Sequence, residues 1–265
     1  MGQSRAFVER RRASMEELIR SRGQVQVSDL ADHFGVSPLT ARRDLDYLES
    51  KGLVSRRYGV AMSRDDAGGL SGTNRIERAK SAIAQRAAEL VEDGEQVFVN
   101  TSTTALDVIG KIASRDVSVI TNSVSGLTMA TPSPGITVLV TGGEVRMPRG
   151  VLSGEFALNN IRSVTATKCY VGCAGVTAEA GATSNTLQEA IVNSQMLQHS
   201  TYKVILADST KLSKQAGFAY ARADEFDLLI TDKWATPTDL AELRDAGLSN
   251  IEVVDPDELV GPLLP

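Results

Sequence analysis

Apolar and polar residues follow two different periodicities along the chain, and the pattern changes near residue 75. Before that point, apolar residues at helical spacing predict helices over about 6–21, 28–34 and 38–50, followed by a short hairpin that ends near 62. After it, short apolar runs that predict strands alternate with helical segments. The predicted strands are 96–100, 117–121, 136–141, 168–173, 203–208, 228–231 and 251–254, and the predicted helices are 76–91, 103–113, 123–130, 186–199 and 237–246.

The alternation of strands and helices places the second part of the chain in the α/β class. It predicts a mostly parallel sheet with right-handed crossovers. Residues 64–73 are rich in Gly and Asp and lack apolar periodicity, which is typical of a linker. We therefore expect a winged helix-turn-helix domain over 1–63, a linker over 64–74 and an α/β domain over 75–265.

Charge divides the chain at the same place. The 265 residues are 42% hydrophobic, enough for two cored domains, and the net charge is −5. Residues 1–64 hold twelve Lys or Arg against eight Asp or Glu, a net charge of +4, whereas the rest holds 16 against 25, a net charge of −9. A basic head on an acidic body is typical of one domain that binds phosphates and another with a different task.

Several classes of protein and site are not expected. No apolar run follows the arginines near the start, and no stretch approaches the roughly 20 apolar residues that span a membrane. Cys169 and Cys173 lie four residues apart on a predicted strand, too far to bridge, so free buried thiols in a reducing cytoplasm are expected. With only two histidines, His33 and His199, neither a metal site nor a bound cofactor is expected.

Residues 28–58 carry the most informative motif. A tight turn separates two short helices, Ser37 offers a hydroxyl that caps the second helix, and Pro38 suits the first helical position. The second helix opens with hydroxyl and guanidinium groups, which suits entry into a DNA major groove, and two wing arginines suit phosphates. The predicted DNA-binding residues are Ser28, Ser37, Pro38, Thr40, Arg42, Arg43, Arg56, Arg57 and Tyr58.

This stretch resembles the N-terminal helix-turn-helix of the DeoR family of bacterial transcription regulators. That family typically shows VS-x-x-T-[IV]-RRDL, followed by L-x-x-x-G-x-[LI]-x-R-x-HGG. The matching residues are Val36, Ser37, Thr40, Arg42, Arg43, Asp44, Leu45, Leu48, Gly52, Leu53 and Arg56. Ala41 stands where a β-branched residue is usual, and residues 58–61 read YGVA in place of HGGA.

Small polar residues follow five of the predicted strands. In a parallel sheet, ligands bind beyond the carboxyl ends of the strands, and hydroxyl and amide groups that open a helix favour an anion. Lys211 can supply the countercharge. The expected effector-binding residues are Asn100, Thr101, Ser102, Thr103, Thr104, Thr121, Asn122, Ser123, Gly142, Gly143, Glu144, Gly172, Gly175, Glu189 and Lys211.

The order of these segments also resembles the C-terminal sensor domain of the DeoR family. The resemblance implies the fold of ribose-5-phosphate isomerase and a phosphorylated sugar or related metabolite as effector. Matching stretches include Lys80 with Ile83-Ala84, residues 119–123 (VITNS) and residues 208–211 (DSTK). Three residues depart from the pattern: Asn100 replaces Asp, Ser102 replaces Gly, and Asn193 replaces Lys.

Three functions stay open on the sequence. The first is a sequence-specific regulator, a repressor of a sugar or carbohydrate operon, that binds double-stranded DNA as a homodimer or homotetramer and has no catalytic residues. The second is a sugar-phosphate isomerase with a DNA-binding appendage, for which Glu189 and Asp208 are the available carboxylates. The third is a DNA-binding protein with a vestigial sensor domain.

Overall fold

The computed structural model describes residues 8, 11–19, 24–51, 53–57, 60–63, 72–129, 135–147 and 150–258. The chain divides into two compact units, Met1–Glu77 and Arg78–Pro265. Most of the expected linker, residues 64–71, lies outside the described residues, while residues 72–74 belong to a helix. The domain boundaries drawn from the sequence stay predictions.

The N-terminal unit combines three helices with a small sheet. Helix α1 is described over residues 11–19, and it is followed by β1 (Gln24–Gln26), α2 (Val27–His33), α3 (Pro38–Ser50), β2 (Val54–Arg57) and β3 (Val60–Ser63). The strands form an antiparallel sheet in the order β1-β3-β2. Apolar residues at helical spacing meet in one core, which includes Met15, Ile19, Leu30, Leu45 and Val54. This is the expected winged helix-turn-helix arrangement.

The second unit contains the remaining elements. Its helices are α4 (Gly72–Glu89, which begins before the division), α5 (Thr103–Ile109), α6 (Gly126–Met129), α7 (Glu155–Arg162), α8 (Leu187–Gln198) and α9 (Pro237–Asp245). Its strands are β4 (Gln96–Val99), β5 (Val117–Thr121), β6 (Ile136–Val140), β7 (Glu144–Arg146), β8 (Val151–Ser153), β9 (Ala166–Gly172), β10 (Gly175–Thr177), β11 (Gly181–Ser184), β12 (Ser200–Leu206), β13 (Phe218–Ala221), β14 (Leu228–Asp232) and β15 (Ile251–Val254).

A seven-stranded sheet forms the centre of this unit. Its order is β15-β14-β12-β9-β4-β5-β6, and every neighbouring pair is parallel. Helices cover both faces, so Phe98 and Val171 lie in one core while their neighbours Val99 and Tyr170 lie in the other. Burial on both faces explains why these strands appear in the sequence as continuous apolar runs. The predicted mostly parallel α/β class is confirmed.

Several short elements were not predicted. The antiparallel pair β7–β8, helix α7 and the three-stranded sheet β10-β11-β13 have no counterpart in the expected pattern. Helices α5 and α6 are also shorter than predicted, because α5 ends at Ile109 with Gly110 as its cap and α6 has four residues. Strands β7, β8 and β10 have only three residues each, which is too short for periodicity to identify.

Candidate functional sites: a recognition helix and a polar cavity

Helix α3 begins as the sequence predicts. Ser37 is the N-cap, and its Oγ accepts a hydrogen bond from the backbone N–H of Thr40 at 3.2 Å and lies 2.8 Å from Thr40 Oγ1. Pro38 occupies the first turn, where no N–H donor is required. The helix buries Ala41, Leu45 and Leu48, so the opposite face of the helix is exposed to solvent.

Arg42 and Arg43 lie on the exposed face of α3. Both project from the N-terminal half of the helix, the part that reads base edges when such a helix enters a major groove. Ser37 and Pro38 are exposed as well, and Thr40 is half-buried. These predicted DNA-binding residues therefore share one accessible end of the helix.

The structure does not describe the side chains of four other predicted DNA-binding residues. Arg56 and Arg57 belong to strand β2 and Ser28 to helix α2, but only their backbone is described. Tyr58 lies outside the described residues. Their roles stay predictions.

Asp44 has a structural task within the same helix. Its carboxylate is 3% exposed and accepts hydrogen bonds from Arg11 Nε at 2.7 Å and Arg12 Nε at 2.8 Å. The guanidinium of Arg12 also lies 4.0 Å from the ring centre of Tyr47. Two arginines from helix α1 thus hold α3 in place, and Asp44 faces the interior.

A polar cavity of about 380 Å³ opens beside the carboxyl ends of the central strands β4, β9 and β12. This is the edge at which ligands bind in parallel α/β sheets. Nine of the residues expected from the sequence line it: Asn100, Thr101, Ser102, Thr103, Thr104, Ser123, Gly172, Glu189 and Lys211.

Asn100 joins the ends of two strands at this cavity. Its Oδ1 accepts hydrogen bonds from the backbone N–H groups of Ser102 at 3.1 Å and Gly172 at 3.0 Å. Its Nδ2 donates to the carbonyl of Gly172 at 3.0 Å and to Asn193 Oδ1 at 3.2 Å. The two departures from the family pattern at 100 and 193 are therefore neighbours that bond to each other.

Ser102 and Gly172 are in close contact. A Cβ atom at Gly172 would lie 1.9 Å from Ser102 Oγ and 2.4 Å from Ser102 Cβ, so only glycine fits. Ser102 stands at the N-cap of α5, yet its side chain makes no capping hydrogen bond. Its hydroxyl remains at the cavity surface.

Four charged side chains line the cavity: Lys80, Glu189, Asp208 and Lys211. Asp208 Oδ1 accepts a hydrogen bond from the backbone N–H of Thr210 at 3.0 Å. The ammonium of Lys211 forms no hydrogen bond or ion pair within the described part of the chain. Lys211 also sits near Cys173, a second lining residue whose pKa is raised to about 12 by burial, an effect that Lys211 partly offsets.

Six expected effector residues do not line the cavity: Thr121, Asn122, Gly142, Gly143, Glu144 and Gly175. The side-chain amide of Asn122 is buried and donates to the carbonyl of Leu152 at 3.3 Å. Gly143 and Gly175 admit no side chain, because a Cβ would lie 2.4 Å from the carbonyl oxygen of Ser153 and 2.2 Å from that of Lys214. Asn122, Gly143 and Gly175 therefore have packing roles. None of the six residues lines the cavity, so the cavity does not support their expected contact with the effector.

The sequence reasoning also missed lining residues. Lys80 and Asp208 stand in stretches that match the family pattern, and including every residue of those stretches would have identified both. Asn193 was noted only as a departure from that pattern. Ser184 and Asn185 follow the short strand β11, which has no periodic signal. The missed lining residues are Lys80, Leu106, Ser125, Cys173, Ala174, Ser184, Asn185, Asn193, Leu206 and Asp208.

The described residues contain neither a membrane-spanning helix nor a cluster of metal ligands. None of their helices is both long and apolar enough to cross a bilayer. The same residues contain no group of three or more His, Cys, Asp or Glu placed to hold a metal ion. Cys169 and Cys173 are free thiols, as expected.

Family models match both units of the chain. The DeoR-like helix-turn-helix domain matches residues 11–67, and the DeoR C-terminal sensor domain matches residues 76–233. The chain belongs to the DeoR family. The recognition helix α3 lies within the first match, and the described polar cavity lies within the second. This DeoR-family protein is therefore a helix-turn-helix transcriptional regulator with a sensor domain.

Curated DeoR-family relatives align along nearly the whole chain. The "HTH-type transcriptional regulator GlpR" of Haloferax volcanii is 30% identical, with 93% of this chain and 98% of that protein covered. The "Lactose phosphotransferase system repressor" of Lactococcus lactis subsp. lactis is 29% identical, with 88% and 94% covered. The "HTH-type transcriptional repressor GlcR" of Bacillus subtilis is 27% identical, with 95% and 98% covered.

Among solved structures, this DeoR-family chain is similar to a ribose 5-phosphate isomerase A from Methanocaldococcus jannaschii. The identity is 17% and the TM-score 0.37, with 51% of this chain and 54% of that chain covered. A likeness this distant says nothing about what the protein does.

Proposed function

We propose that the protein represses a sugar or carbohydrate operon and that a phosphorylated sugar, or a related metabolite, bound in the described cavity controls its affinity for DNA. Two kinds of observation support the proposal. The relatives include the "Lactose phosphotransferase system repressor" of Lactococcus lactis and the "Putative aga operon transcriptional repressor" of Escherichia coli O157:H7. The recognition helix α3 presents Arg42 and Arg43 on its exposed face, where arginine pairs with guanine in a major groove.

One observation carries the ligand half of the proposal. Lys211 brings its ammonium to a cavity whose lining combines hydroxyl and amide groups with the carboxylates of Glu189 and Asp208, and that ammonium has no ion pair or hydrogen bond within the described residues. A partly buried cation with no protein counterion favours an anionic ligand. The hydroxyls of Thr101, Ser102 and Thr103 suit the remaining oxygens of a sugar phosphate.

The proposal extends to assembly and location. Helix-turn-helix proteins read paired half-sites, so we propose a homodimer or homotetramer acting in the cytoplasm. We also propose that the site binds its ligand without turning it over. Asp208 is held by the backbone N–H of Thr210, which suits a hydrogen-bond acceptor for a hydroxyl group. Conversion of a sugar phosphate by the purified protein would overturn this part.

Calorimetric titration of the full chain with phosphorylated sugars and their free sugars tests the ligand half. We expect at least one phosphorylated sugar to bind, and we expect Lys211→Met to weaken it at least tenfold because the anion loses its countercharge. Lys214→Met is the matched control, because Lys214 is an exposed lysine three residues away that does not line the cavity. Equal affinity in Lys211→Met and wild type would refute the assignment.

A further inference from the structure

The orientation of the Asn100 amide is fixed by the backbone. Two backbone N–H groups, those of Ser102 and Gly172, point at the same side-chain atom of Asn100. Only an oxygen accepts from both, so the other atom is the NH₂ group. That group then donates to the Gly172 carbonyl and to Asn193.

The orientation of Asn193 follows from that of Asn100. Since Asn100 donates, the atom of Asn193 that faces it at 3.2 Å is the carbonyl oxygen. The Asn193 NH₂ group therefore points to Ser184 and donates to its Oγ at 3.2 Å. Ser184, as an acceptor in this bond, keeps its own O–H proton for a different partner.

Asn193 and Ser184 are 3% and 5% exposed, and both line the cavity. Beyond the bonds described, Asn193 keeps one N–H and one lone pair, and Ser184 keeps one O–H and one lone pair. Buried polar groups of this kind require partners, because an unsatisfied one costs about 1–3 kcal/mol. A hydroxyl group, which both donates and accepts, satisfies this mixed and uncharged set.

Glu189 lies one helical turn before Asn193 on α8, but the charged side chains of the cavity make no hydrogen bond to this pair within the described residues. These side chains are those of Lys80, Glu189, Asp208 and Lys211. A carboxylate placed against the pair would only accept, and an ammonium would only donate. Against a carboxylate the lone pairs of Asn193 and Ser184 would lack a donor, and against an ammonium their N–H and O–H groups would lack an acceptor. A buried polar site rejects a ligand that leaves its groups unpaired.

We propose that Asn193 and Ser184 determine the specificity of the effector site by binding uncharged hydroxyl groups. The effector is then a phosphorylated sugar with a neutral sugar part, rather than a sugar acid or an amino sugar. This inference rests on the proposed function, which supplies the anionic group of the ligand at Lys211. It assigns a role to two residues that the sequence patterns alone did not bring together.

Competition between matched sugar phosphates tests the inference. The probes are glucose 6-phosphate and galactose 6-phosphate, ribose 5-phosphate, fructose 1-phosphate and fructose 6-phosphate, the acid 6-phosphogluconate, and the amino sugars glucosamine 6-phosphate and galactosamine 6-phosphate. Calorimetry on the full chain is expected to show at least one neutral member bound, with the acid and the amino sugars at least tenfold weaker. Ser184→Ala is expected to weaken the neutral member about tenfold.

Asn193→Asp gives the sharper variant, because it keeps the size of the side chain and adds a negative charge beside Ser184. We expect this variant to bind the neutral sugar phosphate more weakly. The difference in affinity between the neutral sugar phosphate and the amino sugars should become smaller or change sign. Asn159→Asp is the matched control, since Asn159 is an exposed residue of α7 that does not line the cavity. Circular dichroism checks that each variant is folded, and Ser184→Ala provides the test if Asn193→Asp does not fold.

The outcomes separate the two proposals. If 6-phosphogluconate or an amino sugar phosphate binds wild type at least as tightly as the tightest-binding neutral sugar phosphate, the specificity inference is overturned. The proposed function still stands in that case. Unchanged relative affinities in both Asn193→Asp and Ser184→Ala would overturn the inference as well. If no phosphorylated sugar binds, the proposed ligand class is wrong and the inference falls with it.

Discussion

At the scale of single residues, Asp44 has a structural role although it belongs to the predicted DNA-binding motif. It lies directly after Arg42 and Arg43, yet it is buried and paired with Arg11 and Arg12. Removing one member of such a cluster leaves buried charge without a partner. Because the two arginines are partly exposed, at 13% and 23%, the penalty is smaller than for a fully buried pair.

We therefore predict that Asp44→Asn lowers the free energy of unfolding by about 2 kcal/mol. Asp46→Asn is the matched control, an exposed carboxylate on the same helix, and should change it by less than about 1 kcal/mol. Urea unfolding followed by circular dichroism measures both. Equal effects of the two variants would contradict the structural role of Asp44.

The contact between Ser102 and Gly172 allows a paired test. Gly172→Ala forces a methyl group into Ser102 and should destabilise the sensor unit by roughly 1–3 kcal/mol. Ser102→Gly in the same chain removes both clashing atoms and should restore most of the loss. Gly217→Ala is the control, because nothing lies within 4 Å of its added Cβ. Thermal unfolding of these three variants and of Ser102→Gly alone measures the coupling, and no rescue in the double variant would show that the contact is not the cause.

Residue-level prediction from the sequence succeeded where a local rule applies. Ser37 and Pro38 could be placed at the start of α3 because capping depends on neighbours in the chain. Asn193 and Ser184 could not be paired, because their contact joins α8 to a strand, β11, whose four buried residues show no periodicity.

At the scale of elements, helix α3 combines a buried face with an exposed one that carries Arg42 and Arg43. We predict that Arg42→Ala or Arg43→Ala costs about 1–3 kcal/mol of affinity for the cognate site and much less on random DNA. Arg244→Ala, an exposed arginine of α9, is the control and should change neither. Fluorescence anisotropy with both DNAs measures this, and an equal loss on random DNA would make the arginine a phosphate contact.

Helix α9 offers a pH-dependent test. The pKa of the Asp239 carboxyl is lowered from 3.8 because the carboxylate accepts hydrogen bonds from Ser213 and from its capping partner Thr236. A lowered folded pKa means that the stabilisation is present above 3.8 and is lost as the pH falls through the folded pKa. Asp239→Asn should therefore flatten the loss of stability below about pH 4.

Urea unfolding between about pH 5 and pH 2.5 measures this change, and Asp245→Asn is its control. Asp245 is an exposed carboxylate near the other end of α9 with no side-chain hydrogen bond within the described residues. The capping assignment would be contradicted if the free energy of unfolding of Asp239→Asn depended on pH as it does in wild type. The same change in both variants would contradict it as well.

The elements show where periodicity is informative. Inner strands of the central sheet such as β4, β5 and β14 were predicted because burial on both faces gives apolar runs of four or more residues. Strands β7, β8 and β10 have three residues each, and their pairing depends on loops that bring distant segments together. No local rule in the sequence contains that information.

At the scale of the whole molecule, one unit carries the recognition helix and the other carries the polar cavity. The difference in charge between the two parts of the sequence fits this division, because the DNA-binding part carries +4 and the remainder −9. Control by a ligand requires only that the ligand bind the DNA-competent and the DNA-free arrangements with different affinity. A coupling of about 1–3 kcal/mol changes occupancy roughly 5- to 150-fold.

The most direct test of this account is the affinity for DNA from upstream of the protein's own gene, measured by anisotropy with and without the best-binding sugar phosphate. We predict a shift of at least fivefold in wild type. In Lys211→Met, we expect the same affinity without ligand and no shift with it. Tight DNA binding that no ligand changes, in a protein whose cavity is shown to be occupied, would contradict the claim that this cavity controls DNA binding.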